Sequence, residues 1–268
     1  MSSRRLDPKA YGEAFEQKEV FICASEKMRR IKEMITHVAR SDVTILIQGE
    51  TGVGKEVIAR VIYQHSSRKT APFVTVHCAA FPEELFAIEM FGYEQGAFRG
   101  AHQHKPGRFE LAHHGTVFLD EVSEIPLSLQ SKFLHVLRDR TVLRIGAKKE
   151  ICVDVRILAA TNRDMDEAVR NGSFREDLYR FLNGATITIP PLRERKEEIP
   201  VYVDYFLNKY QIKYNVHLEP ISDQIMKGLI DHRWSGNIRE LETAIKRFVV
   251  LRGQAVISED LYVQGTLQ

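Results

Sequence analysis

Ile45-Leu-Ile-Gln-Gly-Glu-Thr-Gly-Val-Gly-Lys-Glu56 runs from an apolar strand into a glycine-rich turn. Beyond the turn, Val57, Ile58, Val61 and Ile62 recur at the spacing of a buried helix face. A strand, a glycine-rich turn and a helix opening on lysine form the context in which a phosphate-binding loop works. Gly49, Gly52 and Gly54 let the backbone turn its N–H groups inward, and the helix adds the positive end of its dipole. Lys55 supplies a point charge for the β- and γ-phosphates. Gly49, Glu50, Thr51, Gly52, Val53, Gly54, Lys55 and Glu56 are therefore the expected contacts of a nucleoside triphosphate. Glu56 stands where Ser or Thr commonly reaches magnesium, so the metal needs other carboxylates or water.

A second run, Thr116-Val-Phe-Leu-Asp-Glu121, is an apolar strand ending in two acids. At the carboxyl end of a parallel strand such acids face the crevice where ligands bind. Asp120 is expected to hold Mg²⁺ and Glu121 to orient and deprotonate an attacking water; the competing reading is a pair of acids capping a strand at the surface. A third strand ends in Ala160-Thr-Asn162, whose polar tip suits either a γ-phosphate sensor at Asn162 or a helix cap. Arg175 and Arg180, in Phe174-Arg-Glu-Asp-Leu-Tyr-Arg180, suit action across a subunit boundary or a plain surface helix. Arg239, early in the last helical pattern, suits contact with the nucleotide or an ordinary salt bridge.

Around these motifs, apolar strands at 43–48, 73–77, 117–119, 156–160 and 185–189 alternate with helical patterns at 26–40, 56–65, 83–91, 127–138 and 163–171. That alternation predicts an α/β fold with a mostly parallel five-stranded sheet flanked by helices. A hairpin is expected over 142–145 and 151–155, with Gly146 in its turn. After Pro190-Pro191 the pattern is helical only, at 199–210, 222–231 and 237–251. The expected division is a lead-in over 1–20, a nucleotide-binding α/β domain over 21–190 and a small C-terminal helical lid over 191–268. The 268 residues, 44% hydrophobic and 28% charged with a net charge of +2, are those of a globular protein without a polyanion-binding bias. No apolar run is long enough to span a membrane, and the first ten residues do not read as a secretory leader. Cys23, Cys78 and Cys152 are expected as small core residues in a reducing, cytoplasmic setting.

Together these residues resemble the AAA+ ATPase domain of sigma-54-dependent transcriptional activators, the bacterial enhancer-binding proteins. The carriers are GETGVGKE at 49–56, CAAFPEELFAIEMFGYEQGAFRGA at 78–101, GTVFLDEV at 115–122, LAATNRD at 158–164, FREDLYR at 174–180, PPLRER at 190–195 and WSGNIRELE at 234–242. In that family Glu is usual at the position of Glu56. The resemblance implies an AAA+ P-loop NTPase that uses ATP and Mg²⁺ in a homo-oligomeric ring, usually a hexamer. It implies that hydrolysis moves a loop, here Gly96, Ala97, Phe98, Arg99, Gly100 and Ala101, that engages sigma-54 on RNA polymerase. The loop is expected to interrupt a helix after Glu94, with the 142–155 hairpin as a second moving element. DNA contact is expected through a domain not in this chain.

Three departures accompany the resemblance. Arg99 stands where the family loop carries Thr, so direct sigma-54 contact is set against an alternative: a nucleotide-gated binding module acting without sigma-54 and with little turnover. His77 stands where the family has the Asn that holds the catalytic Glu, and is expected to hydrogen-bond Glu121 as a sensor. The second arginine of the trans-acting motif falls on Phe181, with Arg180 one position early, about 100° around a helix. His102, His104, His113 and His114 are read as solvated loop residues, with His114 replacing a Gly usual in the family.

Overall fold

The five apolar runs pair into one sheet: β1 Ile45–Gln48, β2 Phe73–His77, β3 Thr116–Asp120, β4 Arg156–Thr161 and β5 Ala185–Thr188. The order is β5-β1-β4-β3-β2, parallel throughout. The computed structural model of the protein describes residues 12–14 and 20–251. Most of the expected lead-in over 1–20, and residues 252–268 of the expected lid, lie outside the described residues. β4 is buried at every position, as an apolar run without alternation requires when both sheet faces are covered. Parallel pairing demands crossovers, and helices fill them: α1 Glu26–Val38 precedes the sheet, followed by α2 Lys55–Gln64, α3 Glu83–Phe91, α4 Arg108–Leu111, α5 Leu127–Asp139, α6 Met165–Arg170 and α7 Glu176–Leu182.

By internal packing the described residues divide into two units, 34–49 with 58–188, and those up to 33 and 50–57 with those from 189 to 251. The core of the first joins Val117, Leu119, Ile157 and Ala159 of the sheet to Phe86, Phe91, Phe109 and Phe133. Phe91 and Phe109 meet Phe133 edge-on at 5.4 and 5.5 Å, and Phe86 stacks on it at 5.6 Å. The second unit is built on α8 Ile199–Tyr214, α9 Asp223–Asp231 and α10 Asn237–Val250 around Trp234, Phe206, Leu241 and Ile245. Buried Trp234 donates its indole N–H to the Leu229 carbonyl at 2.7 Å. The glycine-rich loop over 50–57 packs with this second unit.

Two expected features differ. The loop at 96–101 does not interrupt a helix, because α3 stops at Phe91. Gly92 takes φ +72°, and a Cβ there would meet the Lys105 carbonyl at 2.4 Å. The loop hangs instead on a two-residue antiparallel ladder, Gly92–Tyr93 against Lys105–Pro106. The expected hairpin shrinks to Thr141–Val142 against Ile151–Cys152, and Cys152 is exposed rather than in the core. Among the described residues no helix is long and apolar enough to cross a membrane.

Candidate nucleotide site

The carboxyl end of the sheet gathers one group of predicted residues. Asp120 is the last residue of β3, and parallel pairing sets it opposite His77, the last residue of β2. The His77 Nδ1 lies 3.1 Å from Asp120 Oδ2. The hydrogen bond expected between His77 and Glu121 thus falls on Asp120, because strand register aligns His77 with the residue before Glu121. Glu121 turns away from the strand in the left-handed region, at φ +53°. Its Oε2 accepts the backbone N–H of Asn162 at 3.3 Å, so the Ala160-Thr-Asn162 tip meets it through an amide that no side-chain reading anticipates. Ser123 was also missed: its hydroxyl accepts from buried Thr161 at 3.1 Å, which steadies the β4 tip. Beside them, burial and then the Asp120 and Glu121 charges push the Cys78 thiol well above its usual range, which keeps it protonated. The result is a pair of carboxylates at the crevice end of a parallel sheet, a hard oxygen donor set of the kind that suits Mg²⁺.

The glycine-rich loop shows a different set of partners. Gly52 and Gly54 lie at φ +81° and +100°, values that favour glycine. A Cβ on Gly52 would meet the Gly236 carbonyl at 2.3 Å and the Arg239 Cβ at 3.2 Å, so only glycine permits this approach and Arg239 starts beside the loop. Lys55 opens α2, with its Nζ 3.4 Å from the Glu50 carbonyl. Glu50 is expected to contact the nucleotide, but its carboxylate is engaged by protein: Arg193 donates two bonds at 2.8 and 2.6 Å, and Asn237 Nδ2 a third at 3.0 Å. Those donors, Arg193 first, hold the Glu50 carboxyl down to about 2. Neither Arg193 nor Asn237 was singled out from sequence; the signal was their presence inside the PPLRER and WSGNIRELE runs.

Arg175 precedes α7, its backbone N–H held by the Gln130 side chain at 2.8 Å and its guanidinium on Asp177 at 3.0 and 2.7 Å. Arg180 faces outward on α7, bonded to Glu176 at 2.6 Å. In the 96–101 loop, Gly96 and Gly100 take φ +80° and +106° with open space around them. Ala101 is buried. Arg99 is exposed, whereas Phe98 is 41% exposed because its ring rests edge-on against Tyr93 at 5.0 Å. Arg144 ties the base of this loop to its surroundings through Glu94 at 3.0 Å and Glu110 at 2.9 and 2.6 Å. His114 takes φ +62°, which explains why glycine suits that position, and its Nδ1 lies 3.4 Å from Asp154.

Against known proteins, the Sigma-54 interaction domain model matches residues 21–188, and an AAA+ ATPase lid domain model matches residues 193–264. A Nif-specific regulatory protein of Herbaspirillum seropedicae is 46% identical over 88% of this chain and 43% of its own length. The DNA-binding transcriptional regulator NtrC of Proteus hauseri is 41% identical over 87% of this chain and 50% of its own length. The chain thus spans about half the length of these relatives. A crystal structure of NtrX from Brucella abortus in complex with ATP superposes with a TM-score of 0.81 at 36% identity, covering 87% of this chain and 53% of that one.

Proposed function

The chain belongs to the Sigma-54 interaction domain family of AAA+ proteins, and from that membership we propose that it hydrolyses ATP within a homo-oligomeric ring and uses the energy to remodel sigma-54 RNA polymerase. The proposal takes residues 21–190 as the nucleotide-binding domain and 191–268 as its lid. The observation that carries it is the acid pair at the end of β3, with Glu121 held off the strand by the Asn162 amide. A carboxylate so oriented accepts a proton from a water directed at the γ-phosphate; as the new oxygen–phosphorus bond forms, the bond from the γ-phosphorus to the β–γ bridging oxygen breaks and ADP leaves. Lys55 and the N–H groups of 49–56 hold the β- and γ-phosphates. Asp120 would hold Mg²⁺, which when bound offsets phosphate charge. Arg239 senses the nucleotide from the lid, and Arg175, with Arg180 in support, stabilises phosphoryl charge in a neighbouring subunit. Phe98, Arg99 and the rest of the 96–101 loop face sigma-54.

The relatives' regulatory names and the ATP-bound neighbour support this reading. The test separates binding from chemistry. Lys55→Ala is expected to lose ATP binding, because its charge acts on ground-state phosphates. Glu121→Gln is expected to bind ATP normally and to lose about 10²- to 10⁴-fold in phosphate release. Undiminished hydrolysis by Glu121→Gln means that another group is the base.

A further inference from the structure

Four consecutive residues of the phosphate loop are held by residues that come far later in the chain, all within one packing unit. The Glu50 carboxylate takes Arg193 and Asn237, and Asn237 Nδ2 also donates to the Thr51 carbonyl at 3.0 Å. The Gly52 carbonyl accepts the Ile238 N–H at 3.0 Å. The Val53 carbonyl accepts from Arg195, whose side chain is 1% exposed, at 2.9 Å. Asn237 itself is fully buried at φ +56°, and its Oδ1 accepts the Leu192 N–H at 2.8 Å. One side chain therefore joins three chain segments: the phosphate loop, the 192–195 turn and the start of α10. An asparagine fits because it tolerates the left-handed backbone and offers both a donor and an acceptor.

The charge arrangement points the same way. A carboxylate one residue into a phosphate loop repels a triphosphate unless it is neutralised. The two-pronged Arg193 contact neutralises it and fixes its direction. We propose that Glu50, Arg193 and Asn237 form a latch through which the lid segments set the shape and charge of the phosphate loop, so that Glu50 and Arg193 are positioning residues for the nucleotide phosphates and not ligands to them. The inference rests on the proposed nucleotide site and deepens it: movement of the 192–195 turn or of the start of α10 changes phosphate affinity through Glu50.

The test is calorimetric binding of ATP and of ADP to the whole chain and to Glu50→Gln, Arg193→Gln and the double variant. Arg193→Gln strands a negative charge by the phosphates, so ATP affinity should fall about tenfold, within the usual range of coupled charge pairs, and ADP affinity less. The double variant removes that charge and should recover most of the ATP affinity. A purely structural role for Arg193 predicts otherwise: equal losses for both nucleotides and no recovery. Either of those results, or unchanged binding by Arg193→Gln, overturns the latch. Thermal unfolding checks that each variant folds. If Arg193→Gln does not, the uncharged Arg193→Met replaces it, and must lose more affinity for ATP than for ADP for the latch to stand. Lys55→Ala keeps the two readings apart. If the unaltered chain binds ATP in a Lys55-dependent way, the nucleotide site stands whatever the latch variants do; if not, both readings fall together.

Discussion

Glu121 occupies a left-handed backbone conformation, at φ +53°, that a non-glycine residue adopts at a cost of about 1–3 kcal/mol. From there its carboxylate accepts the Asn162 amide N–H. His77 is spent on Asp120, so the two acids have different partners, one an imidazole and one a backbone N–H. Glu50 is a third acid with a third environment, held down to about 2 from an ordinary 4.5 chiefly by Arg193. A carboxyl depressed on folding stabilises the folded state fully above its unfolded value. Its contribution therefore should be intact above about pH 4.5 and disappear as pH falls toward 2. Stability measured against pH in denaturant should show a loss in that window that Glu50→Gln reduces; identical pH profiles would remove the ion pair from the account.

Turns, more than strands, position the chemistry. Arg195 and Glu198, on the short turns before α8, are 1% and 0% exposed and bonded at 3.0 Å. Glu198 also accepts the Ser25 N–H and hydroxyl at 3.1 and 2.7 Å. Removing one member of a buried pair leaves an uncompensated charge, so Glu198→Ala should cost about 3–5 kcal/mol in chemical denaturation. A loss below about 1 kcal/mol would mean that water reaches Arg195. The 96–101 loop carries its own prediction. Arg99 is exposed beside Phe98, and a guanidinium resists burial in an apolar contact unless an acid pairs with it. Arg99→Thr should therefore strengthen nucleotide-dependent capture of sigma-54 in a pull-down, and equal capture by both forms would make Arg99 neutral. The sheet strands were legible because fully buried runs such as Ile157–Ala160 leave no polar alternation to misread. The loop's support was not, since a two-residue ladder has too little sequence to show a period. The partners of Glu50 were hidden for another reason: Arg193 and Asn237 lie 143 and 187 positions away, and nothing local announces a contact of that range. His77 reads as a sensor candidate in sequence, yet its partner depends on strand register, which motif spacing does not carry.

At the scale of the molecule, the division of labour is between a sheet end that carries acids and a helical unit that carries the phosphate loop's supports. At the start of α7, Arg175 lies on Asp177, and on the helix itself Arg180 lies on Glu176, both exposed. In the proposed function Arg175 serves the site of a neighbouring subunit. The central claim, an ATPase assembled from more than one copy, is tested most directly by mixing two inactive variants. Lys55→Ala keeps Arg175 but has no nucleotide, and Arg175→Ala keeps the nucleotide but lacks the arginine, whose loss should lower the rate by about 10³-fold or more. Each alone should release phosphate at background. Their mixture should recover a measurable fraction of the activity of the unaltered chain, rising with protein concentration. A mixture that stays at background, or an Arg175→Ala variant that alone hydrolyses ATP at the normal rate, would contradict the account.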